Sequence, residues 1–310
     1  MPVNETQLPA LIKEIGRGTK GAQDLPAADA EQLFEAMLQG SVPDLELGAI
    51  LLALRIKGES DDELIGFCRA MQSTTQLVNV PGEAPVVVLP TYNGVRRQPN
   101  LLPLLALRLK DAGLRVLIHG RHDFDTRANP FPLFKAFGIH QAASIKTAEA
   151  DLANAGIALL HTEQINPGLN DLLGLRGRLG VRNTSHTLCK LLDPCPGQST
   201  RVVNVTHPEY LIRMTALLSA QGGRAMLLRG TEGEAFANPR RRPELVGFHS
   251  GGISNVLFPA VEGGTPPIAG WPENADFDEN VRLIQQLITE PDRIPQPILD
   301  QVSALKSLSQ

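Results

Sequence analysis

The chain has 310 residues, of which 42% are hydrophobic and 20% are charged, a composition that excludes disordered and fibrous proteins. Its three cysteines are odd in number and widely spaced, which argues against a disulfide framework and favours the reducing cytoplasm. No apolar run approaches the ~20 residues that span a bilayer, so we expect a cytoplasmic protein with no membrane partner.

Charge is distributed unevenly along the chain. The overall net charge is −4, but residues 1–91 carry −7, residues 92–249 carry +8 and residues 250–310 carry −5. One explanation is chance, since the net charge of long segments varies even when charges are scattered at random. The other is a positive surface built from the middle of the chain, which would attract a polyanion.

The first 76 residues follow helical patterns. Apolar residues recur at helical spacing from Ala30 to Leu38, and Leu45 to Ile56 reads as an almost wholly apolar helix. Ser60 to Glu63 has the capping-box pattern that begins a further helix. Since no strand pattern appears, we expect a small helical domain over residues 1–76.

Beyond residue 77, short apolar runs alternate with helical segments. The predicted strands are Val86 to Leu89, Val116 to Ile118, Ile157 to Leu160, Arg201 to Val205 and Ala225 to Leu228. The predicted helices are Leu101 to Lys110, Pro132 to Phe137 and Leu211 to Ala220. This alternation predicts a large α/β domain over residues 77–310 with a mostly parallel central sheet. Ligands of such sheets bind beyond the carboxyl ends of the strands.

Three stretches together resemble one known family. They are Leu47 to Ser60, Ala112 to Ile139 and Arg176 to Pro194. They resemble the anthranilate phosphoribosyltransferase fold family, also called glycosyltransferase family three. Residues 12–18 and 42–48 resemble more closely its YbiB-type branch, whose characterised members bind nucleic acids.

The resemblance implies a fold of the nucleoside phosphorylase/phosphoribosyltransferase type. It implies that a later helical segment, near residues 163–194, joins the small helical domain. It also implies a homodimer formed through that domain. Enzymes of the family hold phosphoribosyl diphosphate and magnesium in a cleft.

The diphosphate motifs of the family are altered in this chain. The loop that should read Gly-Thr-Gly-Gly-Asp lies within Leu89-Pro-Thr-Tyr-Asn-Gly-Val-Arg-Arg97, and bulky residues replace the small ones that let N–H groups approach a phosphate. Asn-x-Ser-Thr has become Asn100-Leu-Leu-Pro103, without hydroxyls. The residual family residues are Asn93, Gly94, Asn100, His119 and Gly120.

The magnesium motif is altered as well. The family's adjacent Asp-Glu pair corresponds here to Glu232 and Glu234, which are separated by Gly233. These two carboxylates are weak metal candidates, because solvated loop charges are the better explanation for them. We therefore expect no cofactor, with Mg²⁺ and phosphoribosyl diphosphate as the alternative.

Many of the departures from the family are toward arginine. The candidate nucleic-acid or phosphate ligands are Arg96, Arg97, Arg121, Arg127, Arg176, Arg178, Arg182, Lys190, Arg240 and Arg241. The planar guanidinium fork donates paired hydrogen bonds to phosphate. Structural roles are the alternative: Arg176 or Arg182 could anchor a carboxylate, and residues 240–242 could be a solvated loop.

Few aromatic residues fall on the candidate loops. They are Tyr92, Phe124 and Phe131, so base stacking has little to rest on. This scarcity favours contacts to the nucleic-acid backbone, independent of base sequence.

Three hypotheses follow. The leading one is a non-catalytic protein that binds DNA or RNA without sequence specificity through an arginine-lined cleft. The second is a phosphoribosyltransferase with altered motifs that uses phosphoribosyl diphosphate and magnesium. The third is a dimeric interaction protein that uses the apolar helix from Leu45 to Ile56.

Overall fold

A computed structural model describes residues 8–18, 20–80, 82, 84–123 and 126–310. The chain divides into two compact units. The helical unit takes its residues from Met1–Gln76 and Thr162–Asp193, and the α/β unit takes its residues from Leu77–His161 and Pro194–Gln310.

The helical unit contains two separate parts of the chain. Its helices are α1 (Leu8–Ile15), α2 (Ala27–Leu38), α3 (Asp44–Lys57), α4 (Asp61–Ser73), α8 (Thr162–Ile165), α9 (Pro167–Gly174), α10 (Arg176–Leu179) and α11 (Ser185–Leu188), with a 3₁₀ turn at Cys189–Leu191. Its described residues form no strand, as the sequence predicts. No described helix of the chain is both long and apolar enough to cross a membrane.

The capping box before α4 is confirmed, and it extends into a buried ion pair. The Glu63 backbone N–H donates to the Ser60 hydroxyl, and the Ser60 N–H donates to the Glu63 carboxylate at 2.7 Å. Lys57 donates to Glu63 at 2.7 Å and to Asp24 at 2.6 Å. Burial opposes the charge of Lys57, but these hydrogen bonds outweigh it and raise the pKa of the ammonium. The end of α3 and the start of α4 are thereby tied together.

Asn166 joins the two parts of the helical unit. Its side-chain oxygen caps α9 by accepting the Leu169 N–H at 2.9 Å, while its amide donates to the Thr74 hydroxyl at 3.0 Å. Gly168 makes a second contact between the two parts of the helical unit. An added Cβ there would lie 1.9 Å from the Leu38 carbonyl oxygen. The second part therefore packs against α2 at backbone distance.

The α/β unit is built on one seven-stranded sheet. Its strands are β1 (Val86–Thr91), β2 (Arg115–Gly120), β3 (Ile157–His161), β4 (Ser199–Val205), β5 (Arg224–Arg229), β6 (Leu245–Phe248) and β7 (Ser254–Phe258). Their order is β3-β2-β1-β4-β5-β6-β7. The pairings among β1 to β5 are parallel, and those of β5 with β6 and β6 with β7 are antiparallel. The predicted fold class and the five predicted strands are confirmed, while β6 and β7 were not predicted.

Helices of this unit flank the sheet. They are α5 (Leu102–Asp111), α6 (Pro130–Ala136), α7 (Ile145–Asn154), α12 (Glu209–Gln221), α13 (Phe277–Thr289) and α14 (Gln296–Leu308), with a 3₁₀ turn at Pro291–Arg293. Every residue of β1 and of β4 is buried, which is typical of strands covered on both faces. Polar side chains that could contact a ligand are therefore expected at the ends of these strands.

Candidate functional site

The parallel strands end along one edge of the sheet. Thr91 at the end of β1 is in register with Gly120 at the end of β2, and Gly120 is in register with His161. Two segments at this edge carry the site. We call residues 92–97 the β1 loop and residues 230–234, which follow β5, the glutamate turn. Both follow the carboxyl ends of predicted strands, where the sequence pattern places ligands.

Glu234 places a buried carboxylate under the β1 loop. One of its oxygens accepts the N–H groups of Asn93 at 2.9 Å and Gly94 at 2.8 Å, and the other accepts the Thr91 hydroxyl at 2.6 Å. The Glu234 residue is completely buried. Three donors directed at one buried carboxylate form the kind of nest that proteins use to hold anions.

Glu232 fills the outer part of the same loop. Its carboxylate accepts the N–H of Arg97 at 3.0 Å and, at 3.3 Å, that of Arg96. The Glu232 side chain is 15% exposed. Two internal carboxylates thus occupy the β1-loop N–H groups, which in the family resemblance would face a diphosphate.

Glycines let the two loops touch. Gly94 has a φ of +63°, and a Cβ there would lie 2.4 Å from the Ala128 carbonyl oxygen. Gly233 has a φ of +92°, and a Cβ there would overlap the side-chain amide of Asn93 at 1.6 Å. The Asn93 amide instead donates to the Glu232 carbonyl at 3.2 Å. A larger residue at Gly233 would separate the glutamate turn from the β1 loop, and one at Gly94 would separate the β1 loop from Ala128.

Arg127 holds these loops together from a third segment. Its guanidinium donates to the Gly94 carbonyl at 2.9 Å and to the Glu232 carbonyl at 3.1 Å. The same group lies 4.0 Å from the Glu232 carboxylate. A residue that the sequence offered as a phosphate ligand therefore has structural partners at the site.

The other candidate cations of the α/β unit differ in their surroundings. Arg121 binds both oxygens of Asp123 at 2.7 Å. Arg241 donates to the Gly263 carbonyl. The guanidinium groups of Arg96, Arg97 and Arg240 have no hydrogen-bond or ion-pair partner within the described part of the chain, and Arg96 and Arg97 are exposed.

The remaining candidate cations belong to the helical unit. Arg176, Arg182 and Lys190 are half-buried there. Arg178 is 71% exposed and lies 3.2 Å from the equally exposed Asp44. Ion pairs this exposed contribute little to stability, so Arg178 can exchange its partner for another anion at little cost.

The residual family residues are buried and hydrogen-bonded. The Tyr92 hydroxyl lies 2.9 Å from Nδ1 of His119, and both residues are buried. Burial lowers the pKa of His119 to about 3, so the imidazole is neutral at physiological pH. The Asn100 side-chain oxygen accepts the Leu102 N–H at 3.0 Å at the start of α5, and the Asn100 N–H donates to the Asn280 side chain on α13 at 2.8 Å. Phe124 lies outside the described residues.

The glutamates do not fit a magnesium site in this arrangement. Both carboxylates already accept N–H or O–H groups, whereas magnesium takes open oxygen ligands in octahedral geometry. Across the residues that the structure describes, no cluster of three or more His, Cys, Asp or Glu side chains is placed to hold a metal ion.

Sequence reasoning missed Thr91, which binds Glu234, and missed that both glutamates point inward. The sequence places Thr91 at the start of the turn that follows a predicted strand, but nothing in it indicates Glu234 as the partner of Thr91.

Known proteins resemble this chain in sequence and in fold. The helical bundle domain of a glycosyl transferase family matches residues 9–75. An anthranilate phosphoribosyltransferase of Synechococcus is 29% identical over 86% of this chain and 78% of its own length. The uncharacterized protein YbiB of Escherichia coli is 39% identical over 94% of this chain and 91% of its own length. The chain belongs to the same family as YbiB and has an anthranilate phosphoribosyltransferase-like fold.

Solved structures of anthranilate phosphoribosyltransferases show the same fold. The anthranilate phosphoribosyltransferase of Thermus thermophilus is 23% identical, with a TM-score of 0.71 over 96% of this chain and 88% of that one. The Saccharomyces cerevisiae enzyme, solved in complex with PRPP and Mg, is 16% identical, with a TM-score of 0.73 over 99% of this chain and 90% of that one.

We expect His119 to impose a pH dependence on stability. Its pKa of about 3 in the folded protein lies below the ordinary 6.5, so the unfolded chain binds the proton more readily between these values. Stability is then full above pH 6.5 and falls by at most about 1.4 kcal/mol per pH unit as the pH drops toward 3. His119→Gln removes this contribution, as urea denaturation at pH 4 to 7 will measure. His140→Gln, at an exposed histidine, is the control, and equal slopes in both variants would contradict the prediction.

We also expect Glu234 to be essential as a hydrogen-bond acceptor rather than as a charge. Glu234→Ala leaves two buried N–H groups without a partner and costs about 3 kcal/mol of unfolding free energy. Glu234→Gln costs about 1 kcal/mol or less, because its amide oxygen accepts the same N–H groups and its NH₂ donates to Thr91. Urea denaturation distinguishes the two variants, and an equal loss in both would refute this account.

Proposed function

We propose that this family member is non-catalytic and binds DNA or RNA without sequence specificity. The observation that carries the proposal is the state of the β1 loop. Its N–H groups are occupied by Glu232 and Glu234, while the guanidinium groups of Arg96 and Arg97 are exposed and, among the described residues, unpartnered. The loop thus offers cations to an anion outside it, with its backbone donors already used.

Charge supports a polyanionic ligand. Residues 92–249 carry a net charge of +8 in a chain whose total is −4. Arg240, in the same segment, is a further guanidinium that has no partner among the described residues. Phosphodiester groups bound by such cations release counterions, so affinity falls steeply with salt. In the helical unit, the exposed Arg178 is a further candidate contact.

The aromatic residues support binding that is independent of base sequence. Tyr92 is buried against His119, so its ring is withdrawn from any base. Phe131 packs near the His161 ring, with 6.0 Å between centroids. Because both rings pack within the protein, they do not stack on bases. We therefore expect the affinity to come from contacts to phosphate and sugar.

Transferase activity is the second candidate, favoured by the anthranilate phosphoribosyltransferase named among the relatives. Against it, the β1-loop donors are filled and the glutamates do not fit magnesium. Turnover of anthranilate with phosphoribosyl diphosphate and magnesium would support this candidate in place of nucleic-acid binding.

We propose further that the protein is a homodimer joined through the helical unit. A cavity of about 310 Å³ opens between α1 and α3, lined by apolar residues that include Ile15, Leu52 and Ile56. Leu45, Leu52 and Ile56 of α3 are 81%, 48% and 59% exposed. A second copy of the chain would cover this face, and the family resemblance implies the same partner.

We expect Arg96→Ala/Arg97→Ala to weaken nucleic-acid binding about tenfold or more at low salt. For single strands, the negative slope of log affinity against log salt becomes shallower by about 1.4 when two phosphate contacts are lost. Fluorescence anisotropy with a labelled 30-nucleotide strand across a salt series measures both effects.

The matched control is Lys110→Ala/Lys306→Ala, which removes two exposed positive charges at the opposite edge of the sheet. Lys110 lies near Gly156, just before β3. Lys306 lies at the end of α14, where Ser309 contacts Thr200 at the start of β4. An equal loss of affinity in this control would show that the effect comes from net charge rather than from Arg96 and Arg97. Weak, salt-independent binding by the unmodified protein would refute the proposed function.

For the dimer, we expect Ile56→Glu to shift the protein from dimer to monomer, because it places a charge in the apolar face. Sedimentation equilibrium measures the mass. Ile212→Glu is the control, since Ile212 is 78% exposed on α12 of the other unit. A monomeric unmodified protein, or a dimer unaffected by Ile56→Glu, would rule out this interface.

A further inference from the structure

The two glutamates under the β1 loop are held very differently. Glu234 is completely buried and accepts its three hydrogen bonds at 2.6 to 2.9 Å. Glu232 is partly exposed and accepts its hydrogen bonds from Arg96 and Arg97 at 3.0 to 3.4 Å. Short bonds to a buried carboxylate are the strong kind, so Glu232 is the more easily displaced of the two.

The backbone of Glu232 adds to this contrast. Its φ is +51°, and within the described residues no other non-glycine residue has a positive φ. L-residues other than glycine rarely adopt this conformation, because their Cβ crowds the backbone. Such strain persists only where surrounding contacts impose it, and it concentrates at binding sites and switches.

The surroundings of Glu232 allow its carboxylate to leave. The Arg127 guanidinium lies 4.0 Å from the carboxylate and is fixed by the Gly94 and Glu232 carbonyls. Because the Glu232 side chain is already 15% exposed, a carboxylate that swings away from the β1 loop can reach water and keeps a positive charge nearby. The N–H groups of Arg96 and Arg97 would then face solvent beside their own exposed guanidinium groups.

We propose that Glu232 is a built-in competitor for phosphate at the β1 loop. In this view a phosphate or diphosphate group displaces the Glu232 carboxylate, accepts the Arg96 and Arg97 N–H groups, and gains both guanidinium groups as well. Glu234 stays in place and keeps the inner part of the loop closed. The site takes a phosphate oxygen in the position that Glu232 vacates, and Glu232 sets how tightly that phosphate binds.

Glu232→Gly is the decisive variant. It removes the competing carboxylate, and glycine accepts the positive φ of this position without strain, so the turn should keep its shape. Glu232→Gln is the second variant, because it removes the charge but keeps an acceptor for the N–H groups. Glu244→Gln is the matched control: Glu244 is exposed beside the start of β6, at the same sheet edge, and has no hydrogen-bond or ion-pair partner in the described part of the chain.

Two probes distinguish the sources of the phosphate. Inorganic diphosphate, titrated calorimetrically, tests the site itself and does not depend on nucleic-acid binding. The labelled 30-nucleotide strand tests whether a phosphodiester backbone uses the same site. Hydrogen exchange of the Arg96 and Arg97 amides reports whether the ligand has reached the N–H groups.

We expect Glu232→Gly to bind diphosphate at least tenfold more tightly than the unmodified protein, and Glu232→Gln to show a smaller gain. Glu244→Gln should change the affinity less than threefold. The Arg96 and Arg97 amides should exchange faster in Glu232→Gly and become protected when diphosphate is added.

A gain for diphosphate alone assigns the site to small phosphates, and a gain for both probes assigns it to nucleic-acid backbones as well. A Glu232→Gly affinity for diphosphate no higher than that of Glu244→Gln overturns the proposal, whatever the strand binds. If the strand fails to bind any form of the protein, the proposed function fails, while the diphosphate titration still decides the role of Glu232.

Discussion

The buried carboxylate of Glu234 is the interaction on which the site depends. A charge removed from water is tolerated only where donors surround it, and here Thr91, Asn93 and Gly94 supply those donors. Because these residues follow β1 and Glu234 follows β5, one carboxylate joins the ends of strands that are not neighbours in the sheet. The shape of the β1 loop and the outward direction of its arginines follow from that link.

This link also explains how the loop accommodates residues that a ligand-binding glycine loop excludes. A loop that wraps a diphosphate needs bare backbone on the side of the ligand. Here the inner side is occupied by carboxylates, and Tyr92 turns inward to His119. Arg96 and Arg97 extend to the other side, into solvent. The fold of a phosphoribosyl-transferring family is thus retained with its anion already supplied by the chain.

The sequence predicted those features that local pattern determines. Apolar periodicity located α2, α3, α5, α6, α12 and the five parallel strands, and the capping box located the start of α4, whereas α7, α13 and α14 were not predicted. The sequence did not predict that Glu234 binds Thr91. The two residues are 143 positions apart, and nothing near either residue indicates the other. The same limit applies to the arginines. Arg127 and Arg96 look alike in sequence, and only the folded surroundings show that one binds carbonyls and the other faces solvent.

The divided helical unit has a consequence for how the protein is made. Asn166 and Gly168 complete contacts with α4 and α2, so the first helices emerge from the ribosome long before their partners. Several strands of the α/β unit are synthesised in that interval. The early helices must therefore wait with their apolar surfaces incompletely covered, a state in which chains are prone to aggregate and attract chaperones. We therefore expect the helical unit to be completed slowly and late, after residues 162–193 have been synthesised.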